Sequence, residues 1–185
     1  MFGLPLKESV MLKPLRSGHA RELFELIESS RHTLRPWMPW TQQMQGVAEA
    51  EEFIANAARL YADNDAITAG LWEYDRLAGV IGFHEINWSS RSAQIGYWLG
   101  ASFEGRGLIS LAARAFIDYA FVELDLNRIE IRCATSNRRS RAVPERLGFL
   151  LEGMLRQAEK LEDGYADHAV YGMLAEEWSA KRPLF

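Results

Sequence analysis

The chain has 185 residues, 48% of them hydrophobic and 25% charged, which suits one soluble globular domain with a sizeable core and not a disordered segment. With 21 Lys and Arg against 25 Asp and Glu, the net charge of −4 gives no global attraction to nucleic acid or to a membrane surface. The one cysteine, Cys133, excludes an intramolecular disulfide and a zinc ribbon. No apolar run is long enough to span a membrane, and MFGLPLKESV lacks the basic start and apolar stretch of a secretory signal, so the expected compartment is the cytoplasm.

No linker rich in Gly, Pro or Ser divides the sequence, so residues 1–185 read as a single domain. Residues 10–15 suit an edge strand, where Pro14 is tolerable. Ser17 can cap a helix whose Ala20, Leu23, Phe24 and Ile27 fall on one face. Pro36 and Pro39 stop regular helix in the loop Arg35-Pro36-Trp37-Met38-Pro39-Trp40. Ala50, Phe53, Ile54, Ala57 and Leu60 mark a second amphipathic helix.

The period then changes. Residues 66–74, 77–86 and 92–99 read as three strands of an antiparallel meander, with Asp75-Arg76 as the first turn. Glu104-Gly105-Arg106-Gly107 leads into a long helix with Leu108, Leu111, Ala112, Ala115 and Tyr119 on one face. Residues 128–134 are a strand, 137–147 a helix that Gly148 stops, and 149–159 and 168–174 two closing strands. The order β, α, α, β, β, β, α, β, α, β, β is an α+β arrangement, neither doubly wound nor an all-β barrel.

The glycine loop carries the most chemistry. A helix start leaves backbone N–H groups without helical partners at the positive end of the dipole, and glycines before it let the backbone approach a phosphate. The nicotinamide fingerprint fails, because Ser110 stands at its third glycine, and no Lys completes a Walker loop. On the loop alone, a plain tight turn explains Gly105 and Gly107 as well as a pyrophosphate cradle does.

Three further segments decide between them. Ile95-Gly96-Tyr97-Trp98-Leu99 precedes the loop, and Leu126-Asn127-Arg128-Ile129-Glu130-Ile131 follows the helix. Then Asn137-Arg138-Arg139-Ser140-Arg141-Ala142-Val143 runs into Leu147-Gly148-Phe149, with Glu152-Gly153 and Leu155-Arg156 beyond. In this order and spacing the chain resembles the GCN5-related N-acetyltransferase (GNAT) superfamily, and within it the RimJ/RimL type that acetylates N-termini of ribosomal proteins. The resemblance runs over essentially the whole chain.

That resemblance implies acetyl-CoA as co-substrate. It implies a mixed, mostly antiparallel central sheet splayed between its fourth and fifth strands (92–99 and 128–134), with about four helices. It places the pantetheine arm on the backbone of Tyr97, Trp98 and Leu99. The pyrophosphate falls on the loop of Glu104, Gly105, Arg106, Gly107, Leu108 and Ile109. Asn137 would contact the arm, and Ser140 its sulfur end. The chain departs from the pattern at Ser102, where Gln or Arg is preferred, and at Ser110-Leu111, where the subfamily often has Thr-Glu. Pro144 is costly inside a helix, so the helix after Asn137 is expected to start near Ser140.

Acetyl transfer to an amine needs a base, donors for the developing oxyanion and a proton for the leaving thiolate. Glu159 matches the position of a glutamate proposed as base through water in RimL-like proteins; a solvated strand-end carboxylate is the alternative. Glu85 is a second candidate. His84, alternating with it, should face the other way, as a packed group or one at the acceptor site. Ser140 suits thiolate protonation and would also suit a helix cap, and Tyr97 and Tyr165 are weaker hydroxyl candidates. Cys133 reads as a small buried filler.

Trp37 and Trp40 either wall the acceptor site or pack their loop onto the core. Arg138, Arg139 and Arg141 suit the 3′-phosphate of CoA or a solvated face; no aromatic platform accompanies them, so nucleic acid is not expected. No His, Cys, Asp or Glu cluster has metal-ligand spacing, and the reaction needs no metal. The expected acceptor is a protein N-terminus, by direct transfer in a ternary complex. The alternatives are a small amine (polyamine, amino acid or aminoglycoside), with residues 31–45 and 159–168 setting the choice, and a non-catalytic acetyl-CoA-binding module. Trp178 and Pro183-Leu184-Phe185 could serve a homodimer contact or pack on their own sheet.

Overall fold

The computed structural model describes residues 3–181. The strands are β1 (Leu4–Lys7), β2 (Val10–Pro14), β3 (Ile67–Glu73), β4 (Arg76–Asn87), β5 (Ser92–Leu99), β6 (Arg128–Ala134), β7 (Leu150–Leu161) and β8 (Gly164–Leu174). The helices are α1 (Ala20–Leu34), α2 (Val47–Ala62), α3 (Leu108–Val122), α4 (Arg138–Leu147) and α5 (Ala175–Lys181). One mixed sheet holds the strands in the order β1-β2-β3-β4-β5-β6-β8-β7. Every neighbouring pair is antiparallel except β5 and β6.

In the centre of the sheet, β3 and β4 are almost continuously buried, as expected of strands covered on both faces. Helices α1 and α3 both pack on β4, and α3 does so through Phe116, whose ring centroid lies 5.1 Å from that of Phe83. The turn between β3 and β4 falls at Tyr74-Asp75, one residue earlier than the sequence suggested. Both residues have positive φ, 48° and 59°, the geometry of a tight turn matched to strand twist.

The feature that positions the site is the parallel pair. Register between β5 and β6 covers only Ser92–Arg128, Ala93–Ile129 and Gln94–Glu130. Beyond Gln94, β5 stays paired with β4 out to Leu99, and β6 stays paired with β8 out to Ala134. The two strands therefore separate, and the sheet opens at the end where α3 and α4 begin. This is the expected splay between the residues 92–99 and 128–134.

Several expectations are corrected. The chain adds β1, which forms a hairpin with β2, and α5, making five α-helices among the described residues. The buried face of α3 is Leu108, Ile109, Ala112, Ala113, Phe116, Ile117 and Ala120. Leu111, Ala115 and Tyr119 are half-buried instead, because this helix is apolar on two sides and the second turns to β1. Residues 160–167, left between the two closing strands of the sequence reading, are mostly strand: β7 and β8 run up to the Glu162-Asp163 turn.

Helix α4 starts at Arg138, with Pro144 in its interior. Trp178 is 3% exposed and its Nε1–H donates to Asp118 Oδ1 at 2.8 Å, so it packs on its own fold. Pro183, Leu184 and Phe185 lie outside the described residues. Among the described residues, no helix is long and apolar enough to cross a membrane.

Candidate active site

At the open end of the sheet, β5 runs into the glycine loop and α3. Gly105 and Gly107 both have φ of +74°, and a Cβ added at either would meet no protein atom within 4 Å. The glycines thus serve the backbone path and leave room above it. Gly107 is the N-cap of α3 and no side chain caps the helix, so its first-turn N–H groups are left available to a ligand.

Side chains fix this loop from outside. Arg106 pairs with Glu73 through two bonds, Nη2 to Oε1 at 2.8 Å and Nη1 to Oε2 at 2.6 Å. Glu73 is 7% exposed, so the guanidinium is committed to a buried carboxylate and the cradle is made by main chain. Arg139 pairs with Glu104, joining the start of α4 to the loop. Arg146 Nη1 donates to Ser110 Oγ at 2.7 Å.

Across the gap, Asn137 is the N-cap of α4, and its Oδ1 accepts from Ser140 N at 3.1 Å. Asn137 therefore performs the capping that the sequence allowed Ser140, and Ser140 sits in the first turn. Ser140 also lies against Cys133. Burial pushes the Cys133 thiol up, with the hydrogen bond from Ser140 acting the other way. Tyr97 Oη reaches over from β5 and donates to Ser140 O at 3.0 Å. Burial raises the Tyr97 phenol far above its usual range, so it stays a donor. The predicted Tyr97, Asn137 and Ser140 are thus brought together.

Arg141 is turned inward. Its Nε donates to Tyr171 Oη at 2.9 Å and its Nη1 to Thr135 O at 3.1 Å. Of the three clustered arginines, Arg138 and Arg139 are the exposed ones.

The base candidates occupy two places. Glu159 Oε2 lies 3.0 Å from His168 Nε2, and His168 stands opposite Ala134 at the open end of β6. His84 and Glu85 lie at a register irregularity of β4 between Phe83 and Ile86. Strand alternation breaks there, so both residues are exposed, against the expectation of opposite faces. His84 is nonetheless held against Gly96: a Cβ on Gly96 would come within 1.6 Å of His84 Nε2, so any side chain there would displace the ring. Desolvation of its ring lowers the His84 pKa.

Trp40 stacks on Phe53 with centroids 6.5 Å apart and lies 6.1 Å from Trp98 of β5. Trp37 in the same loop is half-buried. Arg35 beside them pairs with Glu162 of the β7–β8 turn, tying this loop to the hairpin that carries Glu159. Among the described residues no group of three His, Cys, Asp or Glu could hold a metal ion.

Residues 9–150 match the acetyltransferase (GNAT) domain family. The chain belongs to the GNAT acetyltransferase family. YdaF of Bacillus subtilis (strain 168), named as a ribosomal N-acetyltransferase, is 37% identical over 183 residues, 98% of this chain and 100% of that one. The ribosomal-protein-serine acetyltransferase of Escherichia coli (strain K12) is 33% identical over 171 residues, 92% of this chain and 96% of that one. Among solved structures, RimL, the ribosomal L7/L12 alpha-N-protein acetyltransferase, superimposes with a TM-score of 0.91 at 27% identity, covering 95% of this chain and 99% of that one. That structure holds coenzyme A, joined by a disulfide to one of its own cysteines.

In this GNAT acetyltransferase, the main-chain cradle suits a pyrophosphate, and the edge of β5 that β6 leaves beyond Gln94 suits an extended amide-bearing arm. The sequence reading missed His168 and the Arg35–Glu162 tie. Neither had a local signal, because each partner lies far along the chain and meets only when the β7–β8 hairpin forms.

Proposed function

We propose that the chain moves the acetyl group of acetyl-CoA to the α-amino group of a protein N-terminus, a ribosomal protein being the favoured acceptor, by direct transfer in a ternary complex in the cytoplasm. The observation that carries this reading is the divergence of β5 and β6 beyond Gln94, opening onto the Gly105–Gly107 cradle. Its support is whole-length similarity to named ribosomal-protein acetyltransferases.

Acetyl-CoA would supply the activated thioester. The amides of 105–109 would hold its pyrophosphate, and the β5 backbone at Tyr97, Trp98 and Leu99 would hold its pantetheine arm. Asn137, whose Oδ1 is used in capping, would offer its amide N–H groups to that arm. Glu159, oriented by His168, would accept the amine proton directly or through water. Glu85 is the alternative base. Main-chain N–H groups of β5 would receive the developing oxyanion, and Ser140 would deliver a proton to the departing thiolate. Trp37, Trp40 and His84 would border the acceptor.

The experiment is CoA-thiol release with a panel of N-terminal peptides and small amines, with products identified by mass. Acetylation confined to peptide α-amines is the expected result. Acetylation of a small amine alone would overturn the acceptor, and donor binding without turnover on any acceptor would overturn the enzymatic reading.

A further inference from the structure

In an α-helix the carbonyl of residue 140 would take the N–H of residue 144, but that residue is Pro144, which has none. Tyr97 Oη donates to that orphaned carbonyl at 3.0 Å, from a strand 43 residues earlier in the chain. The N–H of Ser140 goes to Asn137 Oδ1 at 3.1 Å. Both backbone groups of Ser140 are therefore held by side chains, one from each edge of the opening between β5 and α4, which fixes where its hydroxyl stands beside Cys133. A phenol whose ionisation burial opposes keeps donating across the working range of pH.

We propose that Tyr97 is a positioning residue for acetyl transfer. Its hydroxyl replaces the N–H that Pro144 lacks and so fixes Ser140 against the open end of the sheet. The proline and the tyrosine form one device: the proline empties the acceptor and the tyrosine fills it from across the site. The proposal rests on the reading of Ser140 as the group at the thiol end.

The test is a double-mutant cycle in the full chain with Tyr97→Phe, Pro144→Ala and the pair. Tyr97→Phe is expected to lower kcat about five- to tenfold, the worth of one neutral hydrogen bond, and to change KM for acetyl-CoA much less. Pro144→Ala restores an N–H aimed at Ser140 O, so in that background Tyr97→Phe should cost less than about twofold. Amide exchange gives a readout independent of activity. The new amide at position 144 should become more protected when Tyr97→Phe is added, because two donors no longer compete for one carbonyl. Equal costs in both backgrounds, or unchanged protection at position 144, would overturn the proposal. Ser140→Ala with full kcat would overturn it too, while leaving acetyl transfer by this protein intact. Failure of the parent protein to acetylate any amine would sink the activity itself, and the exchange measurement would still report the Tyr97 contact.

Discussion

Glu159 and His168 face each other across the β7–β8 hairpin, with Oε2 and Nε2 3.0 Å apart. Their meeting depends on a bulge in β7, where register shifts between Leu155 and Glu159 and Gln157 takes a φ of 50°. Asp167 Oδ1 accepts the freed Gln157 N–H at 2.7 Å, so the bulge is held in place. A bulge re-aims the side chains that follow it, here bringing Glu159 to the histidine. With Glu159 as base, Glu159→Gln should lower kcat by about 10²-fold, and His168→Gln, which removes only the orienting partner, by about tenfold. Steady-state rates with the best peptide acceptor check both, and parental turnover in Glu159→Gln would transfer the role to Glu85.

The cradle makes a separate prediction. Alanine at Gly107 meets no protein atom, so any loss of stability comes from the left-handed backbone alone and should be about 1 kcal/mol. The same methyl would stand where a phosphate must approach the amides. Gly107→Ala should therefore raise KM for acetyl-CoA at least about tenfold while unfolding only slightly earlier in urea. A large stability loss with an unchanged KM would mean that the glycines serve the turn and not the ligand.

Arg106 and Glu73 test how the loop is anchored. Arg106→Ala strands a carboxylate that is 7% exposed, and should cost about 1–3 kcal/mol in urea unfolding. Adding Glu73→Gln removes the stranded charge and should return part of that loss. Because the guanidinium faces Glu73 and not the opening, KM for acetyl-CoA should rise less than in Gly107→Ala. A greater rise would show that Arg106 itself grips the phosphates.

What was legible in the sequence was local. The glycine turn at Gly105 and Gly107 and the stop at Gly148 each depend on a few adjacent residues and are readable from residue type, whereas the cap expected of Ser140 falls to Asn137. What was not legible depends on partners far along the chain. Leu4–Lys7 is too short, and interrupted by Pro5, to announce a strand; it becomes one by pairing with β2. Pro144 argued for a later helix start, yet the helix tolerates it because Tyr97 satisfies the carbonyl it leaves open. Strict alternation puts His84 and Glu85 on opposite faces, and the irregularity between Phe83 and Ile86 cancels it. His168 had no signal at all, since only hairpin register delivers it to Glu159.

His84 yields a prediction about pH. Desolvation lowers its pKa in the folded protein below the ordinary value of 6.5. In the window below that value the unfolded chain binds a proton that the folded chain resists, so unfolding takes up protons and stability rises with pH there. The contribution is complete above about pH 6.5 and is lost progressively as pH falls towards the lowered folded value. His84→Gln should accordingly reduce the drop in urea midpoint between about pH 7.5 and about pH 5.5, leaving carboxylate titration at lower pH untouched. Gly96→Ala gives the structural counterpart. Its methyl would fall within 1.6 Å of His84 Nε2, forcing the ring out into solvent. The freed imidazole should then titrate near its ordinary value by NMR, and the pH slope should flatten as it does in His84→Gln. Parallel slopes in all three proteins would mean that packing against Gly96 is not what desolvates the ring.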